Sequence, residues 1–256
     1  MLKNLCYFSF ISIVPAIFST VCASSSDTLP KLINPFTAQY TILHKSDPIG
    51  EGIRELNYLD NGTVKYSYHT SLDWLIFSDA RQETSIIKLE KSKVVPTHYT
   101  YDRKGTGRDK SYEWLYDENN NTATDLKKDK TLTLDFSDKL QDKLSYHLQH
   151  RLNLINLAKE DQDPNKSSLR QSFDYPVMST SGSVKNYTYQ YDGEEEIMLP
   201  YGLIKTIKFK REVLEKNRVT YVWFAPELDY LLVKLFQIKS DIQQFEAQLT
   251  SVNIHK

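Results

Sequence analysis

From residue 36 onwards, apolar and polar residues alternate along most of the chain. In PFTAQYTILHK, Phe36, Ala38, Tyr40 and Ile42 alternate with polar partners, the period-2 pattern of a half-buried strand. Ser46-Asp47-Pro48-Ile49-Gly50 then reads as a turn, since Pro and Gly supply turn geometry. GIRELNYL, from Gly52, forms a second strand that runs into Asp60-Asn61-Gly62, and Asn-Gly is a strong hairpin signal. With TVKYSYHTSLDW as the third strand, the domain opens as an antiparallel meander. ARQETSIIKLE, THYTYDRK and SYEWLYDENNN continue it, and TATDLKKDKTLTLDF reads as a short hairpin.

One segment has a different period. In SDKLQDKLSYHLQHRLNLINLAKE, Leu140, Leu144, Leu148, Leu152 and Ile155 recur every three or four residues. That spacing predicts an amphipathic helix over about 138–158, with Ser137 as its N-cap. After a polar loop from Asp161 to Gln171, six more strand-like runs extend nearly to the C-terminus. The fold class is therefore mostly all-β. At least eleven strands form a single large antiparallel curved sheet, or a barrel-like β fold, with one helix on it or plugging its end. No composition break divides residues 36–254, which read as one β-rich domain.

The N-terminus changes the picture of where such a domain works. Lys3, the uncharged apolar stretch Leu5 to Phe18 and the triplet Val21-Cys22-Ala23 have the order of a secretory signal peptide, here residues 1–23. Residues 24–35 form a polar lead-in. Lipoprotein anchoring through Cys22 is disfavoured, because Ser19-Thr20-Val21 lacks the usual Leu and the small residue before the Cys. Both cysteines, Cys6 and Cys22, fall in this segment, so the roughly 233-residue mature chain must rely on its core rather than on disulfides. No later stretch approaches the roughly 18 apolar residues of a transmembrane helix.

Charge excludes one class of partner. The chain has 32 basic and 33 acidic residues, and losing Lys3 leaves a net charge of about −2, which gives no electrostatic case for nucleic acid. The run Lys205, Lys208, Lys210 and Arg211 reads as the solvated face of a strand.

Candidate chemistry is sparse. No Gly-x-Ser-x-Gly elbow surrounds Ser137, Ser145 or Ser181, and Gly105-Thr106-Gly107 lacks the setting of a nucleotide loop. Glu227 and Asp229, in VWFAPELDYL, read as part of the turn that Pro226 begins. His147 and His150 are three apart on the helix, and a zinc ion there would need a third ligand such as His98 or His69; no cofactor is implied. Arg151 falls inside the apolar stripe, His147 on its edge, and His150 points away. A buried guanidinium needs a partner. It is either an internal carboxylate such as Glu83 or Asp79, or the head group of a ligand at a barrel mouth. Seventeen tyrosines add runs such as YTYQY that suit half-buried strands or line a cavity. The candidate ligand-binding residues are thus Arg151, His147, Tyr187, Tyr189 and Trp223.

FTAQYTILHKSDPIGEG, DKLSYHLQHRLNL, LPYGLIKTIKFKR and VWFAPELDYLLVKLFQ follow in that order between residues 36 and 252. Together they resemble the bacterial exported family known as domain of unknown function 3108. The resemblance implies a periplasmic all-β protein associated with the cell envelope, and no activity. Two function classes follow. One is a non-enzymatic protein binding a lipid or another apolar or amphipathic envelope component; the other is a module contacting an envelope protein or glycan. Hydrolysis of an envelope polymer by Asp79 and Glu83 ranks third.

Overall fold

A computed structural model describes residues 32–74, 76–136, 139–160 and 168–255. The signal segment, Cys22, most of the lead-in and Ser137 lie outside the described residues.

The alternating segments form fourteen strands. The first eight are β1 (Phe36–His44), β2 (Asp47–Tyr58), β3 (Val64–Trp74), β4 (Phe77–Leu89), β5 (Val94–Gly105), β6 (Lys110–Asp117), β7 (Thr122–Asp125) and β8 (Lys130–Thr133). Helix α1 (Ser145–Glu160) follows, then β9 (Phe173–Met178), β10 (Val184–Leu199), β11 (Gly202–Val213), β12 (Arg218–Ala225), β13 (Leu231–Lys239) and β14 (Ile242–Ile254). They make a single antiparallel sheet in the order β8-β7-β6-β5-β4-β3-β2-β1-β14-β13-β12-β11-β10-β9. Two meanders are thus joined where β1 pairs with β14, from Phe36 opposite Ile254 to Leu43 opposite Glu246.

Local chemistry fixes the hairpins. Asn61 Oδ1 accepts from the Thr63 N–H at 3.1 Å and its hydroxyl at 2.6 Å, closing the turn at Gly62. The first hairpin is tighter than the Pro-Gly signal predicts. Lys45 and Ser46 both take positive φ (50° and 72°), and Asp47 already belongs to β2. Pro48 fits there because the β2–β3 ladder starts only at Gly50, so its missing N–H faces no partner strand.

The sheet curls without completing a ladder between β8 and β9. A segment and a few side chains span the gap instead. The Gln141 N–H donates to Pro176 O, and the Met178 N–H to Gln141 O, both at 2.8 Å. Gln141 Nε2 donates to Val94 O at the start of β5, also at 2.8 Å. Trp114 Nε1 on β6 donates to Thr180 O at 3.2 Å. Gly182, in the same β9–β10 turn, has φ +89°, and a Cβ there would lie 2.6 Å from Leu132 Cδ1 and 3.1 Å from Trp114 Cη2.

Helix α1 lies in the concavity, and every residue from Ser145 to Leu152 is buried. Leu144, Leu148, Leu152 and Ile155 join the larger core cluster with Phe36, Tyr40 and Leu56. Tyr146 and Leu154 join a second cluster with Phe173, Tyr175, Tyr189, Phe209 and Phe224. His150 is accordingly not directed away from the core but wholly buried, because the sheet wraps around both sides of the helix. The helix also starts later than its apolar period predicts, and Asp142 begins it. Asp142 Oδ1 accepts from the Leu144 and Ser145 N–H groups, each at 2.7 Å, and the Asp142 N–H donates to Ser145 Oγ at 2.9 Å. This is a reciprocal capping box. The Ser85 hydroxyl donates to Asp142 Oδ2 at 2.5 Å, tying the helix to β4.

Asp142→Ala should cost about 3 kcal/mol, combining a lost cap with newly unpaired buried donors. Asp142→Asn keeps an acceptor and should cost less than half as much. Urea unfolding followed by circular dichroism measures both, and equal losses would show that the cap is not the origin.

Candidate functional site

Between the N-terminal turn of α1 and the concave face of the sheet lies a cavity of about 540 Å³. Its apolar floor comes from β1, β14 and β13, through Ile42, Ala247, Phe245, Leu235 and Leu232. These strands are consecutive in the sheet. On one side of that floor stand Arg54 of β2 and Arg81 of β4; on the other stand Arg211 of β11 and Arg218 of β12. Lys143, Tyr146 and His147 line it from the start of the helix, and among the described residues Glu83 is the one carboxylate in the lining.

Arg54 and Arg211 are 5% and 7% exposed. Strand periodicity puts them inside: Arg54 shares a face with Gly52 and Leu56, and Arg211 with Ile207 and Phe209. Gly52 makes room, since a Cβ there would lie 3.0 Å from the Tyr68 hydroxyl and 3.4 Å from Ile42 Cδ1. Arg54 Nη1 donates to the Tyr66 hydroxyl at 2.9 Å, and its guanidinium lies 4.8 Å from the Tyr68 ring centroid. The Arg211 guanidinium lies 4.0 Å from the Tyr187 ring centroid and 6.0 Å from that of Tyr146. Neither arginine has a carboxylate within ion-pair distance among the described residues. Arg54 Nε, Arg211 Nε and Arg211 Nη1 are buried with no hydrogen-bond partner. Desolvated nitrogens of this kind are costly to leave unpaired.

The local field is positive. Burial pushes the His147 imidazole well below its usual range, and Arg54, Arg211 and Lys143 push it the same way. Burial would raise the Tyr187 phenol, but Lys143 and Arg211 outweigh it and bring it below its ordinary value. Burial also raises the Glu83 carboxyl, which weakens the sole acidic counterweight in the lining.

The candidates from the sequence divide into four groups. His147 and Tyr187 line the cavity. Tyr189 stands behind them, its hydroxyl 3.0 Å from His147 Nδ1. Arg151 lies deeper, where Nε donates to Asp229 O at 2.8 Å and Nη2 to Leu228 O at 3.3 Å. It packs 4.8 Å from the Phe36 ring centroid, and burial lowers its pKa to about 10. Its protein partners are therefore the carbonyls of the β12–β13 turn rather than Glu83 or Asp79. Asp79 accepts from Arg81 and Arg103 at 2.5 Å each, and Glu83 accepts from the Tyr99 hydroxyl at 2.9 Å. Trp223 is on the strand face opposite Val222, with Lys208 and Lys234 near its ring and its Nε1–H donated to Glu195 at 2.7 Å.

Reading Lys205 to Arg211 as one solvated face overlooked Arg211. Its parity matches Phe209, whereas Lys208 lies on the Trp223 side. Among the described residues, no three His, Cys, Asp or Glu side chains gather as a metal site. His98 pairs with Glu113 at 3.1 Å, and among the described residues no helix is long and apolar enough to cross a membrane.

A family model described as Protein of unknown function (DUF3108) matches residues 44–250. None of the curated proteins compared is similar in sequence. Among solved structures, a β-barrel-like protein of domain of unknown function DUF1849 from Brucella abortus superposes with a TM-score of 0.57 at 11% identity, covering 88% of this chain and 99% of its own. That likeness establishes the curled, barrel-like fold. A candidate exported protein with a YmcC-like fold from Bacteroides fragilis reaches a TM-score of 0.34 at 8% identity, covering 85% of this chain and 95% of its own. A candidate lipoprotein from Parabacteroides distasonis also reaches 0.34, at 9% identity, covering 87% and 96%.

Proposed function

Because this chain belongs to the family described as Protein of unknown function (DUF3108), which carries no activity with it, we propose its function from the cavity: an exported, non-catalytic protein that holds an amphipathic component of the cell envelope. The observation that carries this reading is a single cavity of about 540 Å³ combining an apolar floor with charged flanks. Its size lies in the roughly 300–1,000 Å³ range of small-molecule sites. The signal-like N-terminus supports export to the periplasm. Asp79 and Glu83 do not favour hydrolysis: Asp79 is held by two arginines, and Glu83 by a tyrosine.

N-phenyl-1-naphthylamine, a neutral apolar fluorophore, tests the cavity directly. Wild-type protein should take up one equivalent with enhanced emission. Leu235→Trp, which fills the floor, should lose most of that emission while keeping its far-UV spectrum. Native mass spectrometry of periplasmic protein, with organic extraction, should then recover a bound amphiphile. Absence of both uptake and extract would remove this reading.

The alternative, an interaction module, draws on the tip of the β10–β11 hairpin. There Met198 and Leu203 are cross-strand partners and are 70% and 56% exposed.

A further inference from the structure

We infer that the occupant is an anionic amphiphile, its phosphate or carboxylate held between Arg54 and Arg211 and its apolar chain laid on the floor of β1, β14 and β13. This rests on the amphiphile-binding reading and specifies its chemistry.

Three observations carry it. First, two arginines more than nine-tenths buried reach the cavity from opposite sides of the floor, and three of their nitrogens have no partner. Folding alone does not account for a pair of desolvated cations with unused donors; an anion accepting from both would. Second, the lining has Arg54, Arg81, Arg211, Arg218 and Lys143 against the single carboxylate of Glu83. Arg81 is already engaged by Asp79, so the surplus rests on the other four. Third, each guanidinium lies over a tyrosine ring, Arg54 at 4.8 Å from the Tyr68 centroid and Arg211 at 4.0 Å from that of Tyr187. Arg54 Nη1 is already given to the Tyr66 hydroxyl, and Arg54 Nε, Arg211 Nε and Arg211 Nη1 are left for a planar or tetrahedral oxyanion. Asp142 already occupies the Leu144 and Ser145 N–H groups, so the side chains rather than the helix end would bind the anion.

Four ligands in titration calorimetry separate the possibilities: decyl phosphate, decanoate, 1-decanol and inorganic phosphate. Decyl phosphate should bind at least tenfold more tightly than 1-decanol, with decanoate between them or equal to the phosphate. Arg54→Met and Arg211→Met keep an apolar stem; each should remove most of that preference and leave 1-decanol affinity unchanged. Should either variant fail to fold, Lys143→Met at the exposed rim should still lower decyl phosphate affinity several-fold without touching 1-decanol.

Equal affinity for decyl phosphate and 1-decanol would overturn the anionic head group and leave the amphiphile reading standing. Inorganic phosphate binding as tightly as decyl phosphate would do the reverse, keeping the arginine assignment and removing the apolar chain. If none of the four binds, both readings fall.

Discussion

Trp114→Ala should lower the unfolding free energy by about 4 kcal/mol, near the upper range for a large-to-small core change. Trp114 is 2% exposed, so truncation leaves a cavity that its surroundings refill only in part. It also removes the indole N–H bond to Thr180 O and the ring that packs against Gly182. Those contacts join β6 to the β9–β10 turn across a gap with no strand ladder. The loss is a large share of the roughly 5–15 kcal/mol by which domains are stable. Urea unfolding followed by intrinsic fluorescence of the remaining tryptophans measures it. A loss below about 1 kcal/mol would mean that the two ends of the sheet are held by the Gln141 segment alone.

The second large effect is acid lability centred on His150. Its ring packs edge-on against Phe209, with centroids 4.5 Å apart and planes at 87°, and it neighbours Phe173 and Phe224. Asn153 Nδ2 donates to the Tyr175 hydroxyl at 3.0 Å, and that hydroxyl lies 2.8 Å from His150 Nδ1. A Tyr175 hydroxyl that accepts from Asn153 and donates to His150 Nδ1 fits this chain of contacts, and His150 Nε2 is buried with no hydrogen-bond partner.

Burial lowers the pKa of His150 from 6.5 to about 3. Between those values the unfolded chain binds a proton that the folded chain refuses, so stability falls as pH falls. From pH 7 to pH 4.5 the difference is about 2.5 kcal/mol for this one residue. His147 is shifted in the same direction and adds to it. Asp142 and Glu83, whose carboxyls burial raises, act in the opposite sense. The wild type is therefore best compared with His150→Phe at both pH values. The variant loses the Tyr175 contact but should show a pH dependence smaller by about one proton. An unchanged slope would show that His150 protonates without resistance in the folded protein.

Much of the architecture was legible in the alternation itself. Phe36, Ala38, Tyr40 and Ile42 are all buried as their period requires, and Asn61-Gly62 turns where its chemistry says it should. The helix was legible as an element but not in its start, because DKLS continues the leucine spacing while its Asp and Ser cap the helix instead of extending it. His150 escaped because helical periodicity assumes one buried side, and no local signal announces a sheet that wraps around both. The cavity arginines were within reach: the parity that places Leu56 and Phe209 inward also places Arg54 and Arg211 inward. Adjacency in a run of lysines obscured the second of these. That β2 and β11 face each other could not be read, since it depends on β1 meeting β14 across nearly the whole chain.

That meeting has a consequence for how the chain tolerates loss. In most sheets the last strand is a margin, and trimming it shortens an edge. Here Ile242–Ile254 is the ninth strand of fourteen in the order, with β1 on one flank and β13 on the other. A nonsense codon before residue 242 would leave two separate half-sheets, of eight strands and five, each with a newly bared row of peptide groups. The thirteen residues of β14 work as a keystone, because the two meanders become one sheet through them.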